Sequence, residues 1–234
     1  MNLKVISWNI WYGKYFEQVV DFLRRGDADV ICLQEIIADS SGANNTAASI
    51  TKLLGCNFVY GFALDKVLGG RVVKWGNAVL SKYQIISSKT YVLAQGDPRI
   101  ALEANIQING EILNVFTTHL VHAHQRDSKI QNLQADNLVK ILKRERTVLA
   151  GDFNATPHSY PVNTVGKILI NVDATTSPTW SVYPGGCEVC KPKGLEFRLD
   201  YIFASADLTA SNFKIGQSRG SDHLPISATI EFPT

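Results

Sequence analysis

The sequence predicts an α/β fold in which several antiparallel strands lie side by side, and three observations carry that prediction. Short apolar runs such as Val30-Ile31-Cys32-Leu33 and Thr147-Val148-Leu149-Ala150 have the length of buried strands. Two segments, Tyr15 to Arg25 and Gln125 to Lys143, repeat their apolar residues at helical spacing. Three further runs, Ile85 to Leu93, Ile100 to Ile108 and Ile112 to Thr118, follow one another closely, and Asn109-Gly110 supplies a tight primed hairpin turn.

In chain order, Leu3 to Trp8 reads as a strand with Asn9 at its end. The first helix presents Phe16, Val19, Val20 and Leu23 on one face and stops at Gly26-Asp27. Ala28 to Gln34 is a second buried strand, and Glu35 stands where it stops. Asn44 to Leu54 reads as a helix and Asn57 to Phe62 as a strand. Asp65 to Trp75 reads as a hairpin turning at Gly69-Gly70, and Asn77 to Ser81 starts another strand. The run ending at Thr118 delivers His119. His122 and His124 then read as solvated loop residues ahead of the long helix. Lys140, Lys143, Arg144 and Arg146 crowd that helix's C-terminal end, where the helix dipole favours cations without any nucleic-acid partner.

Gly151 ends the strand that starts at Thr147, and Asp152 and Asn154 leave on a loop stiffened by Pro157. Side chains alternate along extended backbone, so these two can point into one pocket and hold a water or a phosphate oxygen. Taken alone, Asp-x-Asn after a glycine is ordinary turn chemistry. Tyr160 to Ile168 reads as a short helix and Ser177 to Glu196 as a loop. Arg198 to Phe203 is a strand with Asp200 at its centre, a costly place for a carboxylate unless something pairs with it. Asp222 and His223 stand at the entrance to a last strand that runs to Ile230.

Composition bounds the rest. A chain of 234 residues, 45% apolar and 19% charged, with no linker, repeat or low-complexity run, is expected to form one domain over residues 1–234. A net charge of +2 argues against a strong sequence-independent hold on long nucleic acid, although a local basic groove remains open. The N-terminus turns polar too soon for a signal peptide and no run reaches transmembrane length, so a cytoplasmic monomer is the expectation. Four cysteines make no disulfide framework at this size. Cys187-Glu188-Val189-Cys190 has zinc-ligand spacing, but no second Cys or His pair lies nearby in sequence, so a plain loop or a redox-labile pair is expected.

The polar groups at strand ends form an inventory: Asn9, Glu35, His119, Asp152, Asn154, Asp200, Asp222 and His223. Glu35, Asp222 and Asn9 offer hard oxygen ligands suited to Mg²⁺ or Mn²⁺. Asp152 with Asn154 can align a water. His223 beside Asp200 would stay protonated more readily and could hold phosphate charge, as could His119. Taken singly, Asn9 and Glu35 are ordinary solvated strand ends.

Seven segments occur in the order of one family and span nearly the whole chain: Ser7-Trp8-Asn9-Ile10, Leu33-Gln34-Glu35, Gly76 to Ser81, Thr118-His119-Leu120, Gly151-Asp152-Phe153-Asn154, Leu199 to Phe203, and Ser221-Asp222-His223-Leu224-Pro225. Together they resemble the endonuclease/exonuclease/phosphatase superfamily, the DNase I-like fold. The resemblance implies a four-layered α/β sandwich of two mixed, mainly antiparallel sheets flanked by helices, with the site at one edge. It implies Glu35 as the principal Mg²⁺ ligand, with Asn9 and Asp222 close to the ion. Asp152 would activate the attacking water with support from Asn154. Asp200 would orient His223, and His223 and His119 would contact the scissile phosphate. Asn77 and Arg99 would lie near the site as substrate-binding candidates.

The implied activity is a metal-dependent phosphodiesterase, with nucleic-acid ends or single strands as the expected substrate. A small or lipid phosphoester is the alternative, and a binding scaffold that has lost its chemistry is a third reading. Trp11, Tyr12, Trp75, Trp180 and Tyr183 would stack on bases if they rim the cleft, and are packing aromatics otherwise. Of these, Trp180 is the substrate-binding candidate.

Overall fold

The computed structural model describes residues 1–42, 44–173, 175–185 and 187–232. Its elements are β1 (Asn2–Asn9), α1 (Phe16–Gly26), β2 (Val30–Ala38), α2 (Thr46–Leu54), β3 (Asn57–Leu68), β4 (Arg71–Ser81), β5 (Ile85–Val92), β6 (Ile100–Ile108), β7 (Glu111–His119), α3 (Lys129–Ile141), β8 (Thr147–Asp152), α4 (Tyr160–Val165), β9 (Ile170–Asn171), β10 (Asp200–Ala204), β11 (Thr209–Ile215) and β12 (Ile226–Glu231). The strands form two six-stranded mixed sheets, ordered β11-β12-β1-β2-β4-β3 and β5-β6-β7-β8-β10-β9. Each sheet has one parallel pair near its middle, β1 with β2 and β7 with β8.

Alternation along the strands builds the layers. From β1, Leu3 and Val5 enter the core between the sheets, whereas Ile6 and Trp8 face the other way. In β10, Ile202 and Ala204 face the inter-sheet core, and Tyr201 and Phe203 the opposite side. The two outward faces take helices. Val19 and Leu23 of α1 and Ala47 and Ile50 of α2 cover the first sheet. Leu138 of α3 with Val162 and Val165 of α4 covers the second. The result is helix, sheet, sheet, helix: the four-layered α/β sandwich that the family resemblance implies. Among the described residues no helix is long and apolar enough to cross a membrane.

Several boundaries differ from the sequence reading for local reasons. Asn77 to Ser81 is the second half of β4 and not a separate strand, because the Gly69-Gly70 turn pairs Leu68 with Arg71 at the start of a long hairpin. The Asn109-Gly110 turn is as expected, both residues having positive φ (51° and 89°). Helix α3 begins at Lys129, four residues later than expected. His124 and Gln125 take left-handed φ (53° and 55°), and the Ser128 side chain accepts from Gln131 N as the N-cap. Helix α4 ends at Val165, short of Ile168. Strand β8 runs through Gly151 to Asp152, and Asp200 opens β10 rather than sitting at its centre. Strands β9 and β11 add to the strands expected from the sequence; β11 is a half-exposed edge with a bulge between Ser211 and Lys214.

Candidate active site

The site grows from one row across the second sheet. Asp152 pairs in register with His119 on β7 and with Asp200 on β10, so three polar side chains leave neighbouring strand ends together. Gly151 makes this possible. A Cβ there would lie 2.1 Å from the Thr118 carbonyl oxygen, so any larger residue would prise β7 from β8. The first sheet supplies Asn9 at the end of β1 and Glu35 from a bulge in β2. The pairing of β2 with β4 shifts between Leu33 and Ile36, and Glu35 has φ +58°. Glu35 is therefore not a strand end: the strand continues to Ala38, and the bulge re-aims the carboxylate.

Asp152 is wholly buried, and nitrogen atoms converge on it. Its Oδ1 accepts the Asn154 backbone N–H at 2.8 Å, and Oδ2 accepts from Asn9 Nδ2 at 3.0 Å. Nε2 of His223 lies 3.5 Å and Nε2 of His119 lies 3.3 Å from the same Oδ2. Burial is the main cause that pushes the Asp152 carboxyl up to about 6; the charge of His223 opposes that shift and Asp200 adds to it.

His223 is held by its Nδ1, which donates to Asp200 Oδ2 at 2.9 Å, while Thr179 Oγ1 donates to the same oxygen at 2.6 Å. Burial alone would lower the His223 pKa. The carboxylates of Asp200, Asp152 and Asp222 outweigh it and hold the ring well above the ordinary histidine value, as an imidazolium. His119 goes the other way: burial, then the charges of Arg99 and His223, keep it neutral. The Asn154 amide donates to the Leu120 carbonyl at 3.0 Å and to His119 Nε2 at 2.9 Å. That leaves the His119 proton on Nδ1, which is buried without a partner among the described residues.

Arg99 closes this side. Its guanidinium lies 4.6 Å above the Trp75 ring, itself 5.0 Å from the His119 ring, and its buried Nη1 has no hydrogen-bond partner among the described residues. Arg99 is close enough to Glu35 and Asp152 for their charges to raise its pKa against burial, which lowers it overall.

The oxygen donors fit a hard cation. Glu35 Oε2 is shut off from solvent with no hydrogen-bond partner among the described residues, as is Asn77 Oδ1. Burial first, and the nearby charge of Asp222 second, push the Glu35 carboxyl up to about 7. Two carboxylates in that relation are relieved by a cation between them. Asp222 is half-exposed; its Oδ2 accepts from Trp180 Nε1 at 3.0 Å and its Oδ1 from the Ser221 hydroxyl at 3.2 Å. Asn9 Oδ1 accepts the Trp11 N–H at 3.1 Å, which leaves one lone pair for a ligand. Distance alone also groups Asp152, Asp200 and His223 as ligands, but His223 Nδ1 is already committed to Asp200.

Two expectations need correcting. Trp180 is only 3% exposed, so its ring has no free face for a base; its N–H instead braces Asp222. His122 is not a solvated loop residue: it is half-buried, with Nδ1 2.6 Å from Asn154 Oδ1. Thr179 and Lys66 carried no signal in the sequence. Lys66 lies near enough to act on the charges of Glu35 and His119, and 5.3 Å from the Trp75 ring.

Solved structures share this architecture. An endonuclease/exonuclease/phosphatase from Beutenbergia cavernae superposes with a TM-score of 0.79 at 20% identity, covering 98% of this chain and 71% of the other. One from Bacteroides vulgatus gives 0.76 at 18% identity, covering 100% of both chains. A mannosyl-6-phosphatase from Bacteroides thetaiotaomicron gives 0.73 at 16%, covering 98% of this chain and 100% of the other. The family model for the endonuclease/exonuclease/phosphatase family matches residues 6–223. With Asn9, Glu35, His119, Asp152, Asp200, Asp222 and His223 all inside that span, the chain belongs to the endonuclease/exonuclease/phosphatase family, a hydrolase superfamily.

Proposed function

We propose that the chain is a divalent-cation-dependent phosphodiesterase that acts on nucleic-acid ends or single strands by in-line attack of water. The observation that carries this reading is the convergence on Asp152: a buried carboxylate with a pKa of about 6, fixed by Asn9 and Asn154, with the His223 imidazolium beside it. Asp152 orients the water and takes its proton as the water oxygen bonds to phosphorus. The bond to the leaving oxygen breaks on the opposite side. His223, kept protonated by Asp200, offsets the charge that builds on the phosphoryl oxygens. The unpartnered His119 Nδ1–H and Arg99 Nη1 supply two further donors. Glu35 and Asp222, with Asn9, would hold Mg²⁺ or Mn²⁺, which when bound polarises a phosphoryl oxygen.

The nucleic-acid preference rests on a half-exposed aromatic rim. Trp11 and Tyr15 lie 5.7 and 5.6 Å from the Tyr183 ring. Lys14 sits 3.6 Å above Trp11, and Arg219 lies 5.1 Å from Tyr183. Trp11 is tied directly to Asn9, so the rim abuts the site. Stacking faces beside cations suit unpaired bases. The mannosyl-6-phosphatase relative favours a second reading, a small phosphomonoester.

The test is a panel of single-stranded DNA, abasic duplex, 5′-tyrosyl DNA, poly(A), sphingomyelin and a sugar phosphate, run with and without added Mg²⁺. Turnover of the nucleic acids that needs Mg²⁺ and falls about a thousandfold in Asp152→Asn is expected. Turnover of the sugar phosphate or lipid alone overturns the substrate class. No turnover by the parent on any member overturns the enzyme reading.

A further inference from the structure

The loop after β7 and the long loop before β10 meet beside the active site, and each brings a pair of soft or borderline ligands. Nε2 of His122, Nδ1 of His124 and the Sγ atoms of Cys187 and Cys190 all lie within 4.8 Å of one another. His122 Nε2 is 3.4 Å from Cys190 Sγ and 3.8 Å from Cys187 Sγ. His124 Nδ1 is 3.4 Å from Cys187 Sγ and 3.5 Å from Cys190 Sγ. A tetrahedral zinc site with ordinary Zn–N and Zn–S bonds has nitrogen-to-sulfur edges of about 3.6 Å. All four observed separations fall around that edge. The partner pair that the sequence lacks near Cys187-x-x-Cys190 is thus delivered by the fold, from residues 63 to 68 positions earlier.

Two surrounding contacts match the same assignment. The Cys190 backbone N–H donates to Cys187 Sγ at 3.1 Å, the kind of bond that stabilises a thiolate within a Cys-x-x-Cys turn. A metal on His122 Nε2 obliges the ring proton to sit on Nδ1, and Nδ1 faces a ready acceptor, Asn154 Oδ1, at 2.6 Å. A metal-bound histidine that hands its other N–H to a fixed oxygen is the usual outer-shell arrangement.

We propose that the reduced chain binds one zinc ion through His122, His124, Cys187 and Cys190, as a structural site that ties the two rim loops together. In this structure the two sulfurs are joined as a disulfide. A phosphine supplies the two electrons and leaves as its oxide, with water giving that oxygen and the two protons, which opens the disulfide to two thiols. Zinc then displaces those two thiol protons and forms two Zn–S and two Zn–N bonds. With four protein ligands the site is closed, so it holds structure and does no chemistry on substrate. Its reach into the active site is through His122, which fixes Asn154 and lies 5.9 Å from the Trp180 ring that braces Asp222.

The experiment uses the full chain kept reduced with a phosphine, stripped of metal, and titrated with zinc and separately with cobalt. Expected is one zinc per chain by elemental mass spectrometry. The cobalt form should show thiolate-to-cobalt charge transfer together with tetrahedral visible bands. A Cys187→Ser/Cys190→Ser variant should hold zinc more than about 100-fold more weakly, since it loses two ligands outright. Absence of bound zinc in the reduced parent overturns the proposal. So does unchanged stoichiometry in the double variant, which would put the ion among the catalytic carboxylates. If the double variant does not fold, the parent's cobalt spectrum decides alone, because no sulfur lies in the catalytic cluster and a spectrum without charge transfer overturns the assignment. None of these readouts depends on turnover.

Discussion

At the scale of single residues, the site is organised by who holds each acid. Asp200 is held by Thr179, Asp152 by Asn9 and the Asn154 N–H, and Asp222 by the indole of Trp180. Trp180→Phe removes only the last of these donors and keeps most of the buried ring. Asp222 then keeps only the Ser221 hydroxyl as a side-chain donor and is held less firmly beside Glu35. The expected result is Mg²⁺ activation shifted about tenfold to higher concentration, with kcat at saturating Mg²⁺ little changed. A Mg²⁺ titration of activity checks it; a loss of kcat that Mg²⁺ does not restore would put Trp180 in the chemistry instead. Most of the acids and imidazoles gathered here stand at or beside a strand end, which made them legible in the sequence; Glu35 reads as such an end but sits on a bulge inside β2. The roles of Trp180, Thr179, Lys66 and His122 were not. Their partners come from segments far away in the chain, and nothing in the local pattern of a tryptophan or a threonine says which carboxylate it will meet.

At the scale of elements, close approach of backbone decides more than propensity does. In Gly151→Ala the new methyl would stand 2.1 Å from Thr118 O, across the parallel pair that carries both His119 and Asp152. Neither strand can yield without spoiling its other neighbour, β6 or β10. The expected cost is about 3 kcal/mol, the upper part of the overpacking range, read from urea unfolding. Gly194→Ala, where nothing lies within 4 Å of the added methyl, is the control and should unfold with the parent. Asn45→Ala tests a different device. It removes the side-chain oxygen that accepts the Ala48 N–H at 2.8 Å and caps α2, and should cost about 1 kcal/mol in the same assay. Elements set by periodicity or by turn residues, such as α1 and the β6–β7 hairpin, could be read from the sequence. The bulge at Glu35 and the edge strand β11 could not. Both depend on what pairs alongside, and in β11 the bulge between Ser211 and Lys214 breaks the alternation of Ala210, Phe213 and Ile215.

For the whole molecule, two sheets each bring carboxylates to one edge, so the fold concentrates negative charge where a cation has to balance it. The sequence order of motifs anticipated this edge; it could not say how strongly the acids there would hold protons. Glu35 is pushed up to about 7 by burial and by Asp222, from an ordinary value of 4.5. A carboxyl whose folded pKa is raised binds its proton more tightly folded than unfolded. In the metal-free chain its contribution to stability therefore falls as pH rises from about 4.5 through about 7. Asp152, raised from 3.8 to about 6, acts in the same direction over a lower window. His223, raised above the ordinary value of 6.5, contributes stability that is full below that value and lost as pH rises through its folded pKa.

A bound divalent ion reverses the trend at Glu35, because it needs the carboxylate and competes with the proton. Below about pH 7 each unit of acidification should therefore weaken Mg²⁺ binding by up to about tenfold. Correspondingly, the rise in Tm on adding a fixed Mg²⁺ concentration should be larger at pH 8 than at pH 6. Thermal melts with and without Mg²⁺ across that range measure the difference. Glu35→Gln, which carries no titrating carboxyl, should abolish most of the Mg²⁺-induced rise at both pH values. A rise that is the same at pH 6 and pH 8 in the parent would mean that the ion does not engage Glu35, and that the two sheets meet at this edge for another purpose.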